Sequence, residues 1–155
     1  MALTVGTNSY VTAAEVASYF TRERVYYDNW EEETDDNEKA LIQAARLLEY
    51  QMNWLYEKTD SDQIMQWPRT GFADIDTDAI PQAVKYAQME LAIELKKNDQ
   101  TSFLESAGFN YLKIENIAIK INTNQNAQVI PDHVFAYISH IGGRKDGTGS
   151  LKRIR

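Results

Sequence analysis

The sequence predicts a mainly α fold: a helical bundle of four to five helices, with a small β-hairpin near residues 112–130 and an extended C-terminal arm. Three observations lead there. Apolar residues recur three or four apart along several segments, the period of a helix that buries one face. Ile117, Ile119 and Ile121 alternate with Ala118 and Lys120, which is strand periodicity. From residue 142 onward the chain turns glycine-rich and basic, the composition of a linker and arm.

Thr12-Ala13-Ala14-Glu15 fits a capping box, and Val16, Tyr19 and Phe20 behind it share a face, which predicts a first helix over about 12–24. Residues 28–38 hold seven acids around Trp30 and predict a solvated loop whose second half suits a helix N-terminus. Leu41, Ala44, Ala45, Leu48, Met52 and Leu55 predict a second helix over 38–56. Residues 60–65 suggest a short third helix that stops before Pro68. Pro81 suits the first turn of a fourth helix reaching about residue 98, with Val84, Ala87, Leu91 and Leu95 as its seam and Glu90 and Glu94 on a solvated flank. A helical turn is expected at 101–106. Residues 111–115 extend towards the isoleucine strand, Asn122 to Asn126 form a polar turn, and 128–130 return as a strand. Pro131 and Asp132 open a last helix with Val134, Phe135, Ile138 and Ile141 inward.

With 155 residues a single domain is expected, divided into a body over 1–141 and an arm over 142–155. The 16 basic residues against 23 acidic give a net charge of −7. Arg144, Lys145, Lys152, Arg153 and Arg155 against Asp146 make the arm +4, which leaves −11 on the body. Such a body repels a phosphate backbone, whereas the arm seeks an acidic surface or nucleic acid. There is no cysteine, so thiolate metal sites and disulfides are excluded. The opening residues lack a basic region followed by a long apolar stretch, so a soluble protein without the usual export signal is expected.

Trp67-Pro68-Arg69-Thr70-Gly71, followed by Pro81, is the most distinctive stretch. A large ring, a fixed φ, a planar donor fork and a permissive glycine together build a rigid structural corner. The alternative is an exposed anchor in which Trp67 and Arg69 are hot spots for a partner. Asp74, Asp76 and Asp78 imitate the start of a calcium loop, but Ala79 and Lys85 stand where a glycine and a glutamate are needed. His133 and His140 are two turns apart, too far to chelate one ion unaided. No nucleophile elbow, zinc helix or complete phosphate loop occurs, so no enzyme activity and no cofactor are expected.

Asn8-Ser9-Tyr10-Val11-Thr12 leading into Tyr19 and Phe20, Gln63 with the Trp67 to Gly71 corner, and Ile80-Pro81 with Val84, Ala87, Glu90 and Leu91 resemble the head-tail connector, or head-completion adaptor, proteins of tailed bacteriophages. Relatives of this kind are often labelled DnaT-like single-stranded DNA-binding proteins. The resemblance covers residues 8–95. It implies a homo-oligomeric ring, commonly a dodecamer, seated beneath the portal protein and joined to a neck or tail-completion protein, with genomic DNA passing through the lumen unbound. It also implies residence in the virion after assembly in the host cytoplasm. In such adaptors the C-terminal arm docks on the portal; here that arm would present Arg144, Lys145, Leu151, Lys152, Arg153, Ile154 and Arg155. Single-stranded DNA binding is the alternative, with nine tyrosines and three tryptophans available to stack on bases.

Overall fold

The first helix starts where its side chains allow it to. Thr12 Oγ accepts the Glu15 amide at 3.2 Å, and the Glu15 carboxylate accepts the Thr12 amide at 2.7 Å, so two orphan donors are satisfied reciprocally. The computed structural model describes residues 2–25, 30, 35–97, 112–114, 117–119 and 129–145. Within them lie α1 (Ala13–Arg22), α2 (Asp35–Gln51), β1 (Met52–Trp54), β2 (Glu57–Lys58), β3 (Arg69–Thr70), α3 (Gln82–Lys97), β4 (Leu112–Ile114), β5 (Ile117–Ile119), α4 (Asp132–Ile138) and β6 (Gly142–Arg144). The fold is mainly α, with three small two-stranded antiparallel sheets among the described residues.

The core forms where helical stripes meet. α3 packs on α2 and on α4. The small Ala44 and Ala45 of α2 and Ala87, Leu91 and Ala92 of α3 belong to one cluster that also takes in Tyr10, Leu48, Trp67, Val134 and Ile138. α3 buries eight residues from Val84 to Ile93, among them Gln88 and Glu90. Gln88 is fully buried and uses its whole amide: Oε1 accepts the Tyr10 amide at 2.8 Å, and Nε2 donates to Ser9 Oγ and to the Leu41 carbonyl, both at 2.9 Å. One side chain thus ties the N-terminal segment, α2 and α3 together.

Several elements differ from the sequence reading. Trp30 is buried and stacks on Phe20 at 4.2 Å, so the acidic stretch around it carries a core residue, and α2 already begins at Asp35. α2 ends at Gln51, five residues early, because Met52–Trp54 pairs antiparallel with Gly142–Arg144. Gly142 lets the strands approach: a Cβ there would meet the Asn53 carbonyl, Met52 Cε and Trp54 Cε3, each at 3.1 Å. Leu55, expected in the helical stripe, is 48% exposed. Residues 60–65 form turns in place of a helix. Asp60 Oδ1 accepts the Asp62 amide at 2.9 Å and Gln63 Oε1 accepts the Asp60 amide at 3.1 Å, so side chains take the backbone groups that a helix would use.

The hairpin lies within 112–130, but β5 pairs with the preceding β4 in the same chain, Leu112 opposite Ile119 and Ile114 opposite Ile117. The turn expected at 122–126 and the helical turn at 101–106 fall outside the described residues. Ile130, read as part of a returning strand, is instead buried in the core ahead of α4. Residues 142–145 are part of the folded body: besides the β6 pairing, the Lys145 amide donates to the Gln51 carbonyl at 2.8 Å.

Two outcomes follow from these contacts. Gln88→Leu keeps the volume and strands the Tyr10 amide and Leu41 carbonyl, and is expected to lower stability by about 3 kcal/mol. Urea unfolding measures this, and a loss below about 1 kcal/mol would contradict the linking role. Glu15 supplies the second. Burial works to raise its carboxyl, but the bonds with Lys85 at 2.5 Å and with Thr12 outweigh that and hold it below its ordinary 4.5. A depressed folded pKa contributes stability above the unfolded value and loses it as pH falls through the folded one. Stability is therefore expected to decline below pH 4.5, with a flatter decline in Glu15→Gln; equal slopes would refute the assignment.

Candidate functional site

The Trp67 corner is built inward. Trp67 is 1% exposed, with its ring edge-on to Trp54 at 5.7 Å and stacked on Phe72 at 5.5 Å. The Trp67-Pro68 peptide is cis. Arg69, 6% exposed, spends its fork on backbone: Nε donates to the Leu55 carbonyl at 2.8 Å, Nη1 to the Gln66 carbonyl and side chain at 3.1 and 3.0 Å, and Nη2 to the Tyr56 carbonyl. Burial lowers the Arg69 pKa, against the pull of Glu49 and Glu57. Glu49 accepts the Gln66 amide with both oxygens, at 3.0 and 3.1 Å, and burial raises its carboxyl despite that bond. Gln63 Nε2 donates to the carbonyls of Met65 and Pro68 at 2.8 and 2.9 Å.

Gly71 has φ +105°, and a Cβ there would lie 2.8 Å from the Tyr56 ring, so conformation and space both require glycine. Thr70 is exposed and pairs with Glu57 across β2 and β3. The Pro81 carbonyl accepts the amides of Val84 and Lys85 at the start of α3. Trp67 and Arg69 are both buried, and their contacts are with the corner itself.

The arm residues divide at Lys145. Arg144 Nη2 donates to Asp132 Oδ1 at 2.8 Å and to the Ile130 carbonyl at 3.0 Å, and its guanidinium lies 4.1 Å from the Phe135 ring centre. Arg144 therefore clamps β6 to the start of α4. Lys145 is exposed. Leu151, Lys152, Arg153, Ile154 and Arg155 lie outside the described residues.

A third site goes beyond the sequence reading. Glu90, expected on a solvated flank, is 4% exposed, and its Oε1 accepts the Tyr19 hydroxyl and meets Arg24 Nε at 2.7 Å. The Arg24 Nε–H is not aligned on that oxygen and has no hydrogen-bond acceptor among the described residues. Its Nη1 donates to the Val25 carbonyl at 3.1 Å. Tyr19, Glu23, Arg24, Val25, Glu90, His133 and Tyr137 line an open cleft of about 390 Å³ between α1, α3 and α4. Tyr86 backs it, 5.3 Å from the Tyr19 ring and 5.8 Å from the Tyr137 ring, with its hydroxyl on Glu23 at 2.8 Å.

Burial and then Glu90 push the Tyr19 hydroxyl well above the ordinary range, so it stays a donor. The Glu23 bond raises Tyr86 in the same sense. Glu94, on the neighbouring turn, lies 3.5 Å from His133 Nε2 and 3.3 Å from Lys97. The sequence does carry a signal: Ala87, Glu90, Leu91 and Glu94 keep the three-and-four spacing, which puts the carboxylates in line with the buried seam.

Chemically the cleft offers a buried carboxylate, aromatic walls and one loosely held cation. Among the described residues no group of three His, Asp or Glu side chains could hold a metal ion, and no helix is long and apolar enough to cross a membrane. A second, apolar groove of about 210 Å³ runs past Leu3, Ala13, Ala17, Trp30 and Leu41.

A family model described as "Putative DnaT-like ssDNA binding protein" matches residues 2–155. No curated protein and no solved structure matches the chain.

The corner yields a direct test. Arg69→Lys keeps the charge and removes the fork, so carbonyls of Leu55, Tyr56 and Gln66 lose their donor. A loss of roughly 3 kcal/mol in chemical unfolding is expected. A variant as stable as the parent would mean that the corner does not need this arginine.

Proposed function

We propose a function from one premise: the chain belongs to the family described as "Putative DnaT-like ssDNA binding protein", whose model spans residues 2–155. On that premise, and on the resemblance carried by the Trp67 to Gly71 corner, the chain is a structural adaptor at the head-tail junction of a tailed phage. It sits as a homo-oligomeric ring, a dodecamer, beneath the portal protein, extends the DNA channel and receives a neck or tail-completion protein. Its role is structural, with no catalysis and no cofactor. It assembles from the host cytoplasm into the virion.

The observation that carries this reading is where the aromatic rings go. A single-strand binder offers open aromatic faces beside cations. Here Trp67 packs on Trp54 and Phe72, and Trp30 on Phe20, all within a segment whose charge is −11. With the tryptophan faces turned inward and Tyr50, Tyr56 and Tyr137 left exposed on an acidic body, the net charge repels a polyanion and suits a wall that lets one pass. The arm, with opposite charge, is suited to an acidic protein surface.

The second reading, binding of single-stranded DNA, is favoured by the family's description, and its contact would be the basic segment beyond Lys145. One truncation tests both. Stopping the chain after Lys145 keeps β6 and its bond to Gln51. The shortened protein is expected to retain its helical circular dichroism, to lose co-purification with the portal protein, and to bind a fluorescent oligonucleotide no better than the full chain. Retained portal binding would remove the arm from docking. Tight oligonucleotide binding at physiological salt by the full chain, lost in the shortened one, would replace the adaptor reading with the second one.

A further inference from the structure

α2 carries a protruding tyrosine at one end and borders an apolar groove at the other. Tyr50, in its last turn, is 71% exposed, the most exposed large apolar or aromatic side chain among the described residues. Arg46, one turn earlier on the same face, is exposed too. Lys145, whose amide sits on the Gln51 carbonyl, adds a second exposed cation at this end, against the half-buried Glu49. A tyrosine ring beside a guanidinium is the residue pair that most often anchors a protein contact.

The groove of about 210 Å³ lies by the start of α2. Leu3, Ala13, Ala14, Ala17 and Leu41 line it, and the three alanines leave room that larger side chains would fill. An apolar cavity of roughly 150 Å³ is enough to take up benzene, so a tyrosine ring fits. The first turn of α2, whose Glu38 also borders the groove, brings Asp35 and Asp36 beside it, with Lys39 as the opposing charge. One chain cannot bring its own ring to this groove. Leu41 and Tyr50 are nine residues apart in one unbroken helix, which puts them about 13.5 Å apart along the axis and on opposite sides of it. Copies of a body with a charge of −11 repel wherever like faces meet. A basic, aromatic face set against an acidic, apolar one reverses that repulsion locally.

We propose that copies of this chain associate through these two unlike faces, Tyr50 of one copy seated in the groove between Leu3, Ala13 and Ala17 of the next, with Arg46 towards the acidic start of its α2. Such a contact leaves one tyrosine and one groove unoccupied in every pair, so it repeats, and it closes into a ring when the rotation per copy divides a full circle. The inference deepens the proposed ring by naming its subunit contact and rests on that reading for closure alone. The contact itself belongs to the free protein and needs no portal.

Complementation between two variants of the full chain tests it. Tyr50→Ala removes the ring and leaves the groove, whereas Ala13→Trp, at the exposed start of α1, fills the groove and leaves the ring. In sedimentation velocity the parent is expected to associate as its concentration rises, and either variant alone is expected to do so roughly tenfold or more weakly. Mixed, the two variants are expected to form pairs and nothing larger, because one intact tyrosine and one intact groove remain between them. A parent that stays monomeric, a variant that associates as the parent does, or a mixture without pairs would each overturn the contact. A second measurement leaves both faces nearly unaltered: a chain with Tyr50→p-benzoylphenylalanine, irradiated in a mixture with isotope-enriched parent, is expected to attach to residues 3–17 of the enriched chain. Attachment around Tyr50 of that chain would mean that like faces meet, and would overturn it as well. Co-purification of the full chain with portal protein reads the adaptor role separately, so the two can fail independently.

Discussion

Gln88 is the constraint on which the arrangement of helices depends. An amide buried in a helix–helix interface costs several kcal/mol unless its donors and acceptor are all met. Here they are met only when the Ser9-Tyr10 segment, the Leu41 carbonyl of α2 and α3 itself take up one relative position. Apolar packing alone would tolerate small slides of one helix along another, because dispersion contacts are numerous and individually weak. A three-way hydrogen-bond set does not tolerate them. Its geometry fixes the approach to α1, and thereby the place of Tyr19 opposite Glu90.

The corner solves a related problem with charge. Leu55, Tyr56 and Gln66 lie in turns on either side of β2, and Arg69 supplies donors to their carbonyls from a single side chain. Glu49 does the converse for the Gln66 amide. Arg69 is buried and Glu49 half-buried, each bonded to backbone more than to a direct ionic partner, and their pKa values move in the directions that burial dictates. The corner's distinctive sequence is thus explained by backbone that must be satisfied, with Trp67 and Arg69 turned inward.

What the sequence reveals follows the range of the interactions. The capping box of Thr12 and Glu15, the Ala44 and Leu48 stripe and the Pro81 start of α3 are set within four residues and are legible. The end of α2 is not, because Met52–Trp54 leaves the helix for a glycine strand some ninety residues later in the chain. Trp30 reads as solvated because acids dominate its neighbours, although a single indole face finds Phe20 across the chain. Glu90 misleads through residue type: the spacing places it on the buried seam, while its charge argues for solvent unless Tyr19 and Arg24 are known to stand opposite. A charged residue inside a core is what residue type alone weighs wrongly, and here it is Glu90.

The same long-range contacts determine how load on the arm would travel. Arg144 holds β6 to Asp132 and the Ile130 carbonyl, the Lys145 amide holds it to the end of α2, and the Leu55 amide on the Ile141 carbonyl closes the other end of the β1 pairing. Trp54, opposite Gly142, rests its ring on Trp67. A pull at Lys145 therefore acts first on a hydrogen-bonded strand pair and next on the buried corner. The root of the arm and the Trp67 corner are thus one mechanical unit, joined by two tryptophans and a strand of three residues.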